Sequence, residues 1–306
     1  MPGRVRAVAV ACAAVAALSG CGLGPGPGTH GVTLTVTQDF GARPVGSADE
    51  RQVPGSETAM RALQRSFRVD TRYGGGYVQS IDGHAGTSAQ RDWFYYVNGI
   101  QAPQGAATTA VHQGDHIWFD LHDWHATDSI PAVVGAFPEP FRDGVNGKRY
   151  PTTIECASDV NPACKRVASE LSAAGIPTAS QLLGTGSGQA TLGVVVAPWR
   201  EVAGAVGGTL IAHGPSASGI YARFAQGGAR LQLLGPSGAV ARTLGAGAGL
   251  VAATADSQSA PTWLITGTDA RGVAAAAAAL TPQALHNHFA LAVSGARRIP
   301  VPVGTG

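Results

Sequence analysis

The spacing of apolar residues predicts several β-strands in the first third of the chain. In "VTLTVTQDF", Val32, Leu34 and Val36 alternate with threonine, which is the pattern of a strand buried on one face. In "DWFYYVNG", an aromatic run ends at Asn98-Gly99, a dipeptide that accepts the positive φ angles of a tight hairpin turn. Two further strands are predicted in "GGGYVQSIDG" and "DHIWFDL".

Between the first two predicted strands, "SETAMRALQRSF" has a helical period. Met60, Leu63 and Phe67 recur at the spacing of one helix face, and Ser56 stands where an N-cap is expected. We therefore predict an amphipathic helix whose apolar side packs against the strands.

The second half of the chain also mixes helices with strands. One helix is predicted to begin at Asn161-Pro162 and to end before Gly175, a second in "TDARGVAAAAAAL", and a short third one at Pro282. Strands are predicted in "TLGVVVAP", "GTLIAHG", "GIYARFA", "ARLQLLG", "AVARTLG", "GLVAATA", "PTWLITG" and "ALAVSG". This mixture predicts an α+β fold class.

The start of the chain has the features of an export signal. A basic start, "MPGRVR", precedes "AVAVACAAVAAL", an apolar run too short to span a bilayer. The run ends in Leu18-Ser19-Gly20-Cys21, which resembles the lipobox of bacterial lipoproteins. That resemblance implies cleavage before Cys21, a lipid on its thiol, and anchoring at the extracytoplasmic face of the cell membrane. An ordinary secretory signal is the alternative.

Composition divides the remaining chain into two folded parts. Most tyrosine, phenylalanine and tryptophan residues lie before Trp124, whereas alanine, glycine and valine dominate the later part of the chain. A proline- and glycine-rich segment separates the two regions and is typical of a connection. The predicted organisation is a signal peptide at 1–20, a Gly/Pro tether at 21–29, a first domain at 30–125, a connecting segment at 126–155, and an α+β domain at 156–306.

The cysteine count is consistent with export. Cys12 lies in the predicted signal and Cys21 is the lipidation site, so that Cys156 and Cys164 remain. An exported compartment favours their oxidation, and two thiolates alone would leave a metal ion underligated. We therefore predict a disulfide between them.

The charge balance excludes one class of partner. The chain has 21 lysine and arginine residues and 19 aspartate and glutamate residues. Removal of Arg4 and Arg6 with the signal makes the numbers of basic and acidic residues equal, and no run of basic residues stands out. A nucleic-acid partner is not predicted, because phosphate binding needs a positive surface.

The order of motifs in the first domain resembles a known family. "VTLTVT", an amphipathic helix, "YGGGYVQSIDG", "WFYYVNG" and "QGDHIWFDL" together resemble the transcobalamin C-terminal-like domain, a small β-grasp-type module. The resemblance covers about residues 30–124. In the vitamin B12 carriers this module covers one face of the corrin ring, so the resemblance implies capture of a small molecule, with a cobalamin-like corrinoid as one candidate.

The stretch "HQGDHIWFDLHDWH", residues 112–125, contains many side chains that could bind a ligand or a metal ion or take part in catalysis. If it is a strand, Ile117, Phe119 and Leu121 face the core, and a continuous ladder occupies the other face. We predict that this ladder forms the ligand-binding surface: His116, Trp118, Asp120, His122 and Trp124.

Two interpretations of the ladder remain open, and a third, a metal site, is disfavoured. It can be a shelf of aromatic rings and polar groups for a planar or sugar-like ligand. It can instead pack against the second domain, because two adjacent outward tryptophans favour a cover. A metal site is not predicted, since same-face residues of a strand stand about 6.5–7 Å apart and the usual ligand spacings are missing.

Motifs for catalysis are missing from the sequence. "GPSASG" does not fit a nucleophile elbow, and "GTGSG" and "GAGAGL" lack the spacing of a dinucleotide-binding loop. We predict a non-catalytic, lipid-anchored binding protein without a cofactor, whose partners are the membrane, a small molecule and a transporter or envelope protein. The alternatives are a structural or interaction lipoprotein and, third, a hydrolase in the second half.

Overall fold

A computed structural model of the protein describes residues 29–87, 90–157, 161–255 and 260–304. The predicted signal peptide, Cys21 and nearly all of the tether lie outside these described residues. Within them, no helix combines the length and the apolar character that crossing a bilayer requires.

The first half builds its main sheet around a parallel pair of strands. The strand order is β2-β1-β8-β6-β7, with β1 and β8 parallel and the other neighbours antiparallel. The strands β3, β4 and β5 form a separate antiparallel sheet. The elements are β1 Thr29–Gln38, β2 Arg43–Val53, α1 Ala59–Ser66, β3 Val69–Arg72, β4 Tyr77–Ile81, β5 His84–Ala85, β6 Arg91–Val97, β7 Ile100–Gln101 and β8 His116–Asp123.

The predicted helix of the first half is present as α1, but it begins differently. Met60 and Leu63 are buried in one cluster with Leu34, as the helical period predicts. The N-cap is Thr58, whose side chain accepts a hydrogen bond from the amide of the third helical residue. The prediction of Ser56 as N-cap was wrong, because periodicity does not fix the first turn of a helix to within two residues.

The second half contains a larger mixed sheet in the order β10-β9-β11-β16-β15-β17-β18. The first four strands are parallel, and the last four, counted from β16, pair antiparallel. A second antiparallel sheet consists of β12, β13 and β14. The elements are β9 Thr152–Cys156, α2 Pro162–Ala173, β10 Thr178–Leu182, β11 Leu192–Pro198, α3 Trp199–Val202, α4 Val206–Ala212, α5 Pro215–Ser218, β12 Ala222–Ala225, β13 Arg230–Leu234, β14 Val240–Leu244, β15 Ala248–Thr254, β16 Thr262–Gly267, α6 Ala270–Ala278, α7 Pro282–Leu285, β17 Ala290–Ser294 and β18 Arg297–Val301.

Mixed sheets with helices agree with the predicted α+β class. One face of the larger sheet is covered by α2 and α6, through residues such as Val167 and Val273. The opposite face contributes to a cluster that includes Tyr96 and Trp118 of the first half. The two halves therefore share a hydrophobic contact, which we call the seam.

Two sequence predictions for the second half differ from the structure. The segment "GTLIAHG", predicted as a strand, forms most of helix α4. Only Ile211 of its apolar run is buried, and a short apolar run does not distinguish a strand from a helix by periodicity. Strand β9 begins at Thr152, inside the predicted connecting segment, and pairs with β10 and β11.

The predicted disulfide is present. Cys156 at the end of β9 and Cys164 in the first turn of α2 are bonded to each other. Asn161 caps this helix by accepting a hydrogen bond from the Ala163 amide, with Pro162 at the first position, as predicted. The disulfide therefore attaches a helix to the strand that precedes it.

Candidate functional site

Strand β8 carries the predicted ladder and lies between β1 and β6. Its side chains alternate between the two faces of the sheet, as strand geometry requires. Ile117, Phe119 and Leu121 belong to the core that also contains α1. Trp118 belongs to the seam cluster on the other face. The prediction that this segment is a strand with two chemically different faces is confirmed.

Asp120 is the polar centre of the seam face. Its carboxylate is fully buried and accepts hydrogen bonds from the Thr37 hydroxyl at 2.5 Å and from the amides of Phe40 at 3.0 Å and Gly41 at 2.8 Å. A buried carboxylate is tolerated when its oxygens are supplied with donors in this way. The contacts join β8 to the turn that follows β1.

His122 continues this polar group. Its Nδ1 lies 2.8 Å from the Asp120 carboxylate, and because a carboxylate only accepts, we assign the hydrogen to Nδ1. The imidazole is stacked between the rings of Phe40 and Phe94, both with centroids at 4.5 Å. The ring of Phe289, from the second half, meets it edge-on at 5.3 Å. The imidazole is thus held on three sides.

Trp118 is packed just as closely. Its indole Nε1 donates to the Thr37 hydroxyl at 2.7 Å, and the Phe289 ring contacts it edge-on at 5.2 Å. A Cβ atom added to Gly135 would lie 2.8 Å from the indole and 2.6 Å from the backbone nitrogen of His288. The absence of a side chain at Gly135 therefore lets the connecting segment pass between the two halves.

Two tyrosines that the sequence did not single out complete the seam. Tyr96 and Tyr221 are buried, and neither hydroxyl has a hydrogen-bond partner among the described residues. Burial raises the pKa of Tyr96, and the nearby Asp120 and Tyr221 raise it further. Burial also raises the pKa of Tyr221, with Asp123 adding to the effect. Both phenols are consequently neutral at physiological pH.

The remaining two ladder residues lie at the ends of β8. His116 is half-buried, and its Nε2 lies 2.9 Å from the Thr35 hydroxyl. Burial lowers the pKa of His116 to about 4, and the neighbouring His286 lowers it further while Asp49 opposes the shift. Trp124 follows β8, is half-buried, and donates its backbone N–H to the Gln90 carbonyl at 2.9 Å.

The prediction of an open shelf made of all five ladder residues is therefore corrected by the structure. Trp118, Asp120 and His122 are covered by the protein itself, so they have no free surface for a ligand. The physical reason is that their rings and polar groups find partners in the turn after β1, in the connecting segment and in Phe289. A role of His116 and Trp124 in ligand binding stays a prediction.

The hairpin that follows β6 has an additional role beyond the predicted turn. Asn98 and Gly99 have φ angles of 54° and 75°, as the Asn-Gly signal predicts. The Asn98 amide donates at 2.9 Å to both the buried Asp115 carboxylate and the Gly144 carbonyl, and it accepts from the His116 amide at 2.8 Å. Burial raises the pKa of Asp115, while its hydrogen bonds oppose the shift. The turn thus ties β8 to the connecting segment.

A cleft of about 940 Å³ opens beside this hairpin. Its walls come from the hairpin and the following loop, from the connecting segment, and from α4, α5 and two residues between β15 and β16, Ala255 and Pro261, in the second half. Residues of the first half that line it include Val97, Ile100 and Gln101, and residues of the second half include Leu210 and Ala217. Most of these are apolar, which is the common character of small-molecule sites.

Metal ligands do not converge anywhere in the described part of the chain. There, no group of three or more histidine, cysteine, aspartate or glutamate side chains is placed to hold an ion. Asp120 and His122, the pair of ladder residues closest to such an arrangement, are occupied with each other and with backbone amides.

A comparison with protein families finds a match within the first half of the chain. Residues 56–123 match a family described as a domain of unknown function (DUF4430). This match covers the helix α1, the hairpin after β6 and strand β8, which carried most of the transcobalamin-like resemblance, whereas "VTLTVT" in β1 lies outside it. A search of curated proteins finds no match for the chain.

Two solved structures are similar to a part of the chain. The first is a candidate metal binding protein from Ruminococcus gnavus, 17% identical, with a TM-score of 0.24, covering 31% of this chain and 97% of that chain. The second is haptocorrin in complex with Cbi, 16% identical, with a TM-score of 0.25, covering 30% of this chain and 24% of haptocorrin. The similarity therefore spans about a quarter of the haptocorrin chain.

Proposed function

We propose that this protein is a lipid-anchored, extracytoplasmic, non-catalytic binding protein that holds a small molecule in the cleft between its two halves. The observation that carries the proposal is the cleft of about 940 Å³, whose lining combines residues of the hairpin after β6, such as Val97 and Ile100, with apolar residues of the second half. Clefts between two packed units are a preferred location for small-molecule sites.

The anchoring follows from the start of the sequence. A lipid on Cys21 and the glycine- and proline-rich tether after it would hold the folded part at the outer surface of the membrane. At that location a bound molecule is accessible to a transporter or to an envelope protein, which are the partners we propose.

A corrinoid is the first ligand to test. The motif order from "VTLTVT" to "QGDHIWFDL" resembles a module that covers a corrin ring in the vitamin B12 carriers. Native mass spectrometry of the protein purified from its natural host would identify a retained ligand, and titration of the purified chain with cobalamin would measure its binding.

The cleft can be tested with a matched pair of variants. Ala217 lines the cleft, whereas Ala212 is exposed and lies on the neighbouring helix outside it. Ala217→Trp should fill the cleft and weaken binding of the retained ligand or of cobalamin by about tenfold or more, whereas Ala212→Trp should leave binding unchanged. Equal effects of the two variants would contradict the proposed location.

A second function is favoured by the buried ladder. Since Trp118, Asp120 and His122 serve the contact between the two halves, the protein can be a structural or interaction lipoprotein of the cell envelope without a small-molecule ligand. Native protein without a retained ligand, combined with crosslinking to an envelope protein, would support this alternative.

A further inference from the structure

The second half contains a separate cavity of about 530 Å³. It lies on the face of the larger sheet opposite α2 and α6, between the glycine-rich loop 183–188 and helix α4. Leu210 and Ala255 line both this cavity and the cleft described above. The two cavities therefore have a shared wall and different linings.

A buried carboxylate forms part of this cavity. Glu155 lies on β9 next to Gln181 of β10 and Val195 of β11, and only 4% of its surface is exposed. Its carboxylate accepts hydrogen bonds from the Gly184 amide at 3.2 Å and from the Ser187 hydroxyl at 3.1 Å. Both donors belong to the glycine-rich loop and both are neutral.

The loop is brought to Glu155 by a glycine in the sheet. A Cβ atom at Gly193 would collide with the Ser187 hydroxyl. Because Gly193 has no side chain, Ser187 can lie flat against β11 and reach the carboxylate. The loop therefore closes one side of the cavity and leaves the Glu155 carboxylate part of its lining.

The charge of Glu155 has no ionic partner among the residues that the structure describes. None of the residues that line the cavity is a lysine, arginine or histidine, and none of the ion pairs in the described part of the chain involves Glu155. The other acid of the lining, Glu201, is 36% exposed and lies 3.9 Å from the Arg200 guanidinium.

This combination is typical of a site for a cation. An ionised carboxylate offers about four acceptor positions, and Glu155 uses two of them on neutral donors. A buried charge is costly unless an opposite charge reaches it. The lining also offers threonine hydroxyls at Thr191 and Thr262, together with small apolar side chains.

We propose that this cavity binds a small organic molecule through a protonated amino group, with Glu155 as its counter-charge and Ser187 holding the carboxylate in position. The site is distinct from the cleft between the two halves and does not depend on the function proposed for it.

Calorimetric titration of the full chain at neutral pH with butylamine and putrescine tests the proposal, with 1-butanol as the uncharged match for butylamine. At least one amine should bind and 1-butanol should not. Glu155→Gln keeps the size of the side chain and should weaken amine binding by about 30-fold or more, because it removes a buried charge partner. Glu170→Gln is the matched control, because Glu170 lies on α2 at the other face of the sheet and does not line the cavity, and it should change binding less than threefold.

Several results of these titrations would overturn the proposal. Absence of binding by both amines, equal binding of butylamine and 1-butanol, or unchanged binding in Glu155→Gln would overturn the proposal. Binding of calcium or magnesium alone would overturn the assignment to an organic amine. If Glu155→Gln does not fold, the comparison of butylamine with 1-butanol on the unaltered protein still decides. A failed cleft variant leaves this experiment unaffected, since Ala217 does not line this cavity.

Discussion

The Asp120 carboxylate and the His122 imidazole lie two residues apart on one strand and are joined at 2.8 Å inside the seam. The same carboxylate accepts from the amides of Phe40 and Gly41. The pair therefore acts as a polar anchor for the turn after β1, and the aromatic rings around it belong to both halves of the chain.

Removal of the charge of Asp120 should destabilise the protein strongly. Asp120→Asn replaces one accepting oxygen by an amide nitrogen that faces other donors, so we expect a loss of about 3 kcal/mol in the free energy of unfolding. Urea denaturation followed by tryptophan fluorescence measures it. The control is Asp128→Asn, at an exposed position, which should change stability by less than about 0.5 kcal/mol. Similar values for both variants would contradict the anchoring role.

The seam should not tolerate a methyl group at Gly135. In Gly135→Ala the added Cβ meets the His288 backbone and the Trp118 ring at 2.6–2.8 Å, so we expect a loss of about 1–3 kcal/mol. Gly204→Ala is the matched control, because no atom lies within 4 Å of a Cβ there. Thermal unfolding of both variants separates a specific clash from a general effect of alanine, and an unchanged melting temperature in Gly135→Ala would argue against the packing described.

Protonation of His116 should weaken the fold in acid. Its pKa is about 4 in the folded chain and about 6.5 in an unfolded one, so the unfolded state binds the proton first. The stability it contributes is complete above pH 6.5 and is lost as the pH falls to 4, by about 2–3 kcal/mol. Burial also lowers the pKa of His288, which adds to the same trend.

The matched variants for this pH effect are His116→Gln and His125→Gln. Glutamine cannot take up the proton, so the His116 variant should lose less stability than the unaltered protein between pH 6.5 and 4. His125 is exposed, and its replacement should leave the dependence of stability on pH unchanged. Denaturation midpoints measured at half-unit pH steps give the slope, and parallel curves for all three proteins would refute the assignment.

The disulfide should contribute to stability in the second half. Cys156 and Cys164 close a short loop with a sequence separation of 8, for which loop-closure entropy predicts about 2–3 kcal/mol. The double variant Cys156→Ala, Cys164→Ala should unfold at lower denaturant concentration by that amount. Dithiothreitol should lower the stability of the unaltered protein to the same level and have no effect on the variant.

Lipidation is predicted at Cys21. In a bacterial host that processes lipoproteins, Cys21→Ser should move the protein from the membrane fraction to the soluble fraction and abolish incorporation of a labelled fatty acid. Cys12→Ser, inside the predicted signal, should leave the anchoring unchanged. Fractionation with labelled palmitate measures both, and an unaltered chain without label would point to an ordinary secretory signal.

Local patterns in the sequence predicted much of the first half. The alternation in Val32, Leu34 and Val36, the helical spacing of Met60 and Leu63, and the Asn98-Gly99 turn each reflect contacts between residues close in sequence. Strand β2 was missed, because "RPVGSADERQV" at the edge of the sheet is largely exposed and has no apolar alternation.

The partners of the ladder could not be predicted in this way. The sequence established that Trp118, Asp120 and His122 share one face of a strand, because side chains of a strand alternate. What covers this face depends on Phe40, Gly135 and Phe289. Two of these lie in distant parts of the chain, and no periodic pattern relates them to β8.

The same distinction applies to the two cavities. Glu155 is an ordinary acid within a strand sequence, and its significance arises because a glycine at position 193 lets a distant loop close over it. Sequence by itself determined most of the strands, the helix signals, the cysteine pairing and the two faces of β8, since these depend on residue type and local spacing. Only the tertiary structure decided which faces are buried and where cavities remain, because burial depends on which distant surfaces fit together.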